Sequence, residues 1–454
     1  MSSFGSLTIG QSALYAHRKA LDVTGHNLAN VNTPGYSRQR VDLVADSGPI
    51  TPALHSSWQG TGEGVRAGPV IRIRDEFLDL RAQQEHATDA SLRQTQTVLS
   101  RIELAVAEPG DTGLAAQMSG FLAAWDDVAN RPDDLSARAQ LVEHGTSLAT
   151  GFAQLESTLQ TMGRSSTSEL QSVVADVNSV AQRVAELNQR IKTNVAAELP
   201  SADLLDQRDL LVDQLSEQVG VTSRSQADGT VDLYIGTNAL VRGNQTQSLA
   251  VDTPTTAAGT VSVVWAASGS PAGISGQSGA LQSAINTTIV SYRTQLTAVT
   301  QKLTDDVSAV HVTGFDLGGN PGQNFFVMGP NGMVVNGAIA ADPSKVAAAA
   351  TATGGRDGSI AAKVADLTAP GDTYRSFVQR LGVQSQSVNR QTAAQATVTG
   401  NVDAARNASS GVNIDEEMTN LIQIQHAYDA AARFITAVDS MLETLIKGTG
   451  LVGR

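Results

Sequence analysis

The chain has 454 residues, with 31 basic and 44 acidic side chains and a net charge of −13. That length suits two to four domains, and the acidic balance removes the domain-wide basic footprint that nucleic acid or an anionic membrane surface would need. Cysteine is absent, which excludes disulfides, thiol nucleophiles and thiolate metal sites. Aromatic residues make up only 4%, so the apolar content is largely Ala, Val and Leu, as in long helices and thin packed layers.

The first predicted element is a helix carrying Leu7, Leu14, Leu21 and Leu28 at seven-residue spacing, flanked by the small residues Ala13, Ala16, Ala20 and Val23. It should end before Pro34, because a proline disfavours the helical conformation in its predecessor. Thr33-Pro34-Gly35-Tyr36 places Pro and Gly at the second and third positions of a type II turn. Strands are expected over residues 37 to 44 and 65 to 73, with the glycines of 60 to 64 between them. That glycine stretch reads as a mobile hairpin tip; a phosphate loop would follow a strand and open a helix.

Helical period begins at Asp75, breaks at Pro109-Gly110 and at Pro132, and continues from about Leu135 to Glu198. A further helix is expected from Ala202 to Val219. Residues 220 to 275 are rich in Gly, Thr, Ser and Val and read as a small inserted β-rich domain. Helical period returns from Gly279 to Val312, residues 314 to 358 read as irregular, and helices resume from Tyr374. The last helix opens at Asn413, a capping residue, with Glu416 placed to reach back and Asp415 at the positive end of the dipole. It carries Leu421, Tyr428, Ile435 and Leu442, and three residues behind them Ile424, Ala431, Val438 and Leu445. This two-position seam is built to pack on another helix.

The first and last helices are therefore expected to pair. Their charges are opposite in sign, which favours the ends meeting: residues 1 to 40 hold Arg18, Lys19, Arg38 and Arg40 against Asp22, while residues 411 to 454 hold six acidic and three basic side chains. The expected fold is mainly α with a smaller β part, an elongated multi-domain subunit. Residues 1–35 and 411–454 would form an inner coiled-coil domain. Residues 36–219 and 276–410 would form a discontinuous helical domain, and residues 220–275 an outer β-rich insert.

No enzyme chemistry assembles. The seven histidines lack zinc-ligand spacing, no nucleophile elbow is present, and no cofactor is called for. Asp203, Asp206, Asp209 and Asp213 share one helical stripe; the reading preferred over a cation site is a solvated face, or pairing with arginines such as Arg183 or Arg190, since one straight helix rarely closes an oxygen shell. The doublets Asp126-Asp127, Asp133-Asp134, Asp305-Asp306 and Glu416-Glu417 read as surface or helix-start features. Phe121 and Trp125, four apart, read as core. The chain start has no basic, apolar and cleavage-site sequence of a secretory signal, and no apolar run is long enough to cross a bilayer, so neither cleavage nor membrane insertion is expected.

The segment Asn27-Leu-Ala-Asn-Val-Asn-Thr-Pro-Gly-Tyr36 resembles the N-terminal signature of bacterial flagellar axial proteins, the rod, hook and hook-associated subunits. Within it, Asn27, Asn30, Thr33, Pro34, Gly35 and Tyr36 carry the match. Further segments, among them Glu108-Pro-Gly-Asp-Thr-Gly-Leu114, Phe121-Leu-Ala-Ala-Trp125, Asp203-Leu-Leu-Asp-Gln-Arg-Asp209 and Gly411-Val-Asn-Ile-Asp-Glu-Glu417, are similar to the hook-filament junction branch of that family. The resemblance implies a structural subunit at the distal end of the hook that contacts other copies of itself, the hook protein and the second junction protein. It also implies export by the flagellar type III apparatus after a cytosolic chaperone binds the C-terminal region. The short β insert departs from larger relatives. Competing expectations are another axial subunit, such as the second junction protein or the hook protein, and an adhesin that presents the insert.

Overall fold

A computed structural model describes residues 3–46, 62–253, 259–330, 332–353 and 355–449. Residues 60 and 61 of the expected hairpin tip lie outside the described residues. The chain opens with α1 (Ser3–Ala29), and an antiparallel hairpin β1 (Gln39–Asp46) and β2 (Gly64–Arg72) follows, with a register irregularity between Val41 and Leu43. Helix α2 (Glu76–Val106) starts where Asp75 accepts hydrogen bonds from the backbone of Phe77 at 3.0 Å and Leu78 at 3.2 Å, satisfying donors that a helix start leaves bare. Helix α3 (Leu114–Asn130) precedes α4 (Leu135–Ala196), a single helix of 62 residues. At 1.5 Å per residue α4 is about 90 Å long.

Helix α5 (Ala202–Val219) leads into a four-stranded antiparallel meander, β3 (Thr222–Ser225), β4 (Val231–Ile235), β5 (Asn238–Arg242) and β6 (Gln245–Thr246), and then a hairpin, β7 (Leu249–Asp252) with β8 (Ser262–Trp265). Return to helix comes through α6 (Gly276–Ser283) and α7 (Ile289–His311), joined by a π-helical turn over 284–288. Beyond α7 the segment read as irregular holds a hairpin, β9 (Phe326–Gly329) with β10 (Gly332–Val335), and the short α8 (Gly337–Ala341). Helix α9 (Ser359–Ala365) and the 42-residue α10 (Ala369–Ser410) begin earlier than the expected resumption at Tyr374, and α11 (Ile414–Thr449) closes the described chain.

Two apolar cores lie along α4. One gathers its N-terminal half with α3, α7, β9, β10 and the start of α10, around Phe121, Trp125, Phe325 and Phe326, all buried. Phe121 and Trp125 meet edge to face at 6.3 Å between ring centroids, the geometry aromatic quadrupoles favour. His311 is sealed into this core: its Nδ1 donates to the Gln323 carbonyl and its Nε2 accepts from the Ala347 N–H at 2.8 Å. Burial pushes its imidazole pKa down to about 4. The second core joins the C-terminal half of α4 to α5 and to strands β4, β5, β7 and β8, around Leu211, Leu215, Leu233 and Trp265.

Candidate assembly interface and its anchoring network

Helix α1 lies antiparallel against α11, since Gly10 faces Ile435 near one end of the pair and Asn27 faces Glu417 near the other. A Cβ added at Gly10 would sit 2.6 Å from Ile435 Cγ1, so the approach of the two helices at this point requires a residue without a side chain. The expected seam residues Leu421, Ile424, Tyr428, Ile435 and Leu442 are half-buried, and Ala431 and Val438 are buried. Leu445, at the continuation of the seam, is mostly exposed. On α1, Leu7, Leu14, Leu21 and Leu28 are each half-buried, while the fully buried positions are Gly10, Ala16, Thr24 and Asn27. Small residues, more than the leucines, thus form the tightest part of the contact. The β1–β2 hairpin covers another side of α1, where the Lys19 ammonium donates to the Gly68 carbonyl at 3.1 Å and the Val65 N–H donates to Ser12 Oγ at 3.3 Å.

The Asn27–Tyr36 motif builds the exit from α1. The Tyr36 N–H donates to the Thr33 carbonyl at 3.2 Å and Gly35 takes φ +77°, as the third position of a type II turn demands. Asn30 accepts from Thr33 Oγ1 at 3.1 Å and donates to the His26 carbonyl at 3.0 Å, closing the end of the helix. Asn27 uses its whole amide. Its Oδ1 accepts from the Gln39 N–H at 2.9 Å and the Tyr36 hydroxyl at 2.8 Å, and its Nδ2 donates to the Gln39 carbonyl at 2.9 Å and to Glu417 Oε2 at 3.1 Å. With its hydrogen committed to Asn27, the Tyr36 hydroxyl is the acceptor for His26 Nδ1 at 3.0 Å. Burial, and then the nearby Asp206, Asp203 and Glu417 carboxylates, hold the Tyr36 phenol protonated far above its ordinary range. Pro34 and Gly35 themselves are exposed.

The Glu416-Glu417 doublet lies in the first turn of α11, in line with the helix-start half of its expectation, but Glu417 is buried and not a surface residue. It pairs with Arg38 Nη2 at 2.7 Å, while Glu416 pairs with Arg38 Nη1 at 2.8 Å. Glu416 therefore reaches across to the other end of the chain instead of back onto its own helix. The cap is made by Asn413 alone, which accepts from the N–H groups of Asp415 at 3.0 Å and Glu416 at 3.3 Å.

The aspartate stripe on α5 is the second anchor, and it meets arginines other than Arg183 and Arg190. Arg72 at the end of β2 reaches Asp206 at 2.8 Å and Asp209 at 2.6 Å; Arg208 also pairs with Asp209 at 2.8 Å. Arg74 binds Asp79 at 2.6 Å and lies 3.5 Å from Asp209, and Arg406 of α10 bridges Asp79 and Asp213, each at 2.8 Å. The Ser37 N–H donates to Asp206 Oδ2 at 3.2 Å, and Gln39 Nε2 donates to Asp203 at 3.4 Å. Burial alone would raise the Asp209 pKa, but Arg208, Arg72 and Arg74 outweigh it and hold the carboxyl below its ordinary range. At Asp206 burial wins over Arg72 and the Ser37 hydrogen bonds, and at Asp213 it wins over Arg406, so both are raised. One further bridge ties α2, α5 and α10: His86 contacts Glu217 at 3.1 Å and Asp403 at 2.8 Å. The Glu217 bond, against burial and with Asp403, lifts its pKa to about 9. Among the described residues no cluster of His, Asp or Glu is arranged to hold a metal ion, and no helix is long and apolar enough to cross a membrane.

A stripe of small residues on α1, a buried amide at Asn27 and a set of arginine-carboxylate bridges form a mechanical joint between chain ends and body. Three family models match the chain, two at its ends and one in its body. The flagella basal body rod protein model matches residues 7–36, and the C-terminal model of the flagellar basal body rod FlgEFG proteins matches residues 406–447, which together hold the terminal pair. The helical-domain model of the flagellar hook-associated protein FlgK matches residues 99–326, half of the chain. The chain belongs to the FlgK family of flagellar hook-associated proteins. It is similar to flagellar hook-associated protein 1 of Bacillus subtilis, 29% identical with both chains covered in full. The same protein of Escherichia coli K12 is 23% identical over 96% of this chain and 98% of that one. For Salmonella typhimurium the identity is 29% over 70% of this chain and 58% of the other. The solved flagellar hook junction protein FlgK of Burkholderia pseudomallei superposes with a TM-score of 0.50 at 26% identity, over 55% of this chain and 46% of that one. This FlgK-family chain is accordingly a structural component of the extracellular flagellum at the hook-filament junction, not an enzyme, and it assembles with other flagellar components. The expectations of a different axial subunit or an adhesin give way to that assignment.

Of the anchoring residues, Gly10, Arg72, Arg74 and Arg406 escaped the sequence reading, whereas Arg38 was among the basic residues expected to favour the meeting of the ends. Most of their partners are far away in the chain, with 137 positions between Arg72 and Asp209 and 193 between Arg406 and Asp213. The aspartate stripe itself was the available signal, because four carboxylates on one helical face need either water or cations.

Proposed function

We propose that the α1–α11 pair is the layer through which this subunit enters the junction, and that the arginine-aspartate network fixes the attitude of that layer to the helical body. In this reading residues 1–35 and 411–454 are the inner domain, residues 36–219 and 276–410 the discontinuous helical domain, and residues 220–275 the outer β-rich domain. The seam residues Leu7, Leu14, Leu21 and Leu28 on one side, and Leu421, Ile424, Tyr428, Ile435, Val438, Leu442 and Leu445 on the other, are the self-assembly residues. Asn27, Asn30, Thr33, Pro34, Gly35 and Tyr36 set the exit angle of the chain.

The observation that carries this is a seam whose leucines stay half-exposed although both helices are paired. Two helices alone leave such a stripe partly wet, and neighbouring copies supply the missing apolar surface. Neighbours at the two edges of the layer are the hook protein and the second junction protein. The chain reaches its position through the type III apparatus with a cytosolic chaperone on the C-terminal region, a reading that rests on the family resemblance. Leu21→Asp and Ile435→Asp test the layer. Each should leave most of the monomer's helicity, measured by circular dichroism, and abolish incorporation at purified hook ends; normal incorporation of both would remove the seam from the contact.

A further inference from the structure

Helix α11 carries more apolar surface than α1 covers. Met418 and Ile422 are 43% and 49% exposed, and Phe434 and Met441 are 44% and 70% exposed. Their places relative to the seam differ. Ile422 follows the seam residue Leu421 by one position, with Met418 one turn before it, whereas Phe434 and Met441 each precede a seam residue, Ile435 and Leu442. One step forward or back along a helix rotates a side chain by about 100° in opposite senses. The first group therefore lies on one flank of the seam and the second on the other. They are also at different heights, since 16 residues separate Met418 from Phe434 and 19 separate Ile422 from Met441. That is about 25 Å along the helix. Ile446 is also exposed but lies beyond both groups, near the end of α11.

We propose that these flanks are the two halves of a head-to-tail contact between identical copies. Met418 and Ile422 of one α11 receive Phe434 and Met441 of the next, displaced by about five helical turns. The proposal rests on the reading of α1–α11 as the assembling layer and adds which faces meet and with what step. A second copy is the occupant for three reasons. The chain is a subunit of an axial assembly. Both flanks border the α1–α11 seam, so a neighbour on either extends that packing without a gap. A two-fold pair would cover only one flank, whereas unlike flanks at unlike heights satisfy each other only in a contact that does not close, which generates a helix of subunits. The same displacement brings Arg433 level with Asp415 of a neighbouring copy, 18 positions apart, and among the described residues no ion pair involves either.

The absence of cysteine makes the test clean. Met418→Cys and Phe434→Cys are made singly, and each is checked in the reduced state for helicity and for incorporation at hook ends. Junctions assembled from a mixture of the two should give intermolecular disulfides on mild oxidation, and junctions from either variant alone should give none. Ile422→Cys with Met441→Cys repeats the test on the second pair. Cross-linking within either single variant would show like flanks meeting and overturn the proposal. Junctions that form from both mixtures without cross-links would overturn it as well, and would leave the seam reading standing, because that reading fails only if charged seams still assemble.

Discussion

Gly10 is a residue of α1 against which Ile435 and Phe434 of α11 press, and it yields to a direct comparison with Gly5, around which nothing lies within 4 Å. In a helix Ala is preferred to Gly by up to about 1 kcal/mol, so Gly5→Ala should stabilise α1 slightly. Gly10→Ala drives a methyl into Ile435 and should lose more than that, about 1–3 kcal/mol as overpacking. Hydrogen exchange over residues 5 to 29 reads both: protection should rise in the first variant and fall in the second. Equal responses would mean that the contact has room to spare. His311 gives a prediction in pH. Its folded pKa of about 4 lies below the 6.5 of an ordinary histidine, so the unfolded chain binds the proton more readily. The associated stability is fully present above pH 6.5 and is lost as pH falls from there towards 4. Between pH 7 and 4.5, wild type should lose about 2–3 kcal/mol more than His311→Gln in urea unfolding of the core around Trp125. The same loss in both proteins would assign the acid sensitivity to the carboxylates.

Among elements, the joint between the terminal layer and the body depends on β2, α5 and α10 being tied at one place. Arg72 leaves the end of β2 and enters the aspartate stripe of α5, so Arg72→Met strands Asp206 and Asp209 in a buried setting with part of their cationic partners gone. Breaking a buried pair from one side costs about 3–5 kcal/mol. Limited proteolysis near residues 30 to 40 should accelerate in that variant while the Trp125 core keeps its protection; unchanged cleavage would make the network ornamental to the joint. Elements set by local pattern were legible from sequence, as α5 and the long α4 show, because caps, prolines and period act within a few residues. The β9–β10 hairpin was not, since its Gly and Ala-rich surroundings carry no alternation and it forms by packing Phe326, Met333 and Val335 on α4 and α7. The role of Glu416 was misread for a similar reason: Arg38, its actual partner, is 378 positions away.

At the scale of the molecule, α4 runs through both cores and α1 and α11 close the chain upon itself. The mainly helical class with a small β part was readable from composition and period. The location of the joint was not, because it depends on which distant arginines arrive at one helical face. Pairing the first helix with the last has a bearing on how a subunit is made. Helix α1 finds its partner only after everything up to α11 has been synthesised and released, so a chain interrupted anywhere before residue 414 keeps its stripe bare and Asn27 without Glu417. Closure of this pair thus couples the two most distant described helices of the chain, and a fragment that stops short of α11 has no means of building the layer.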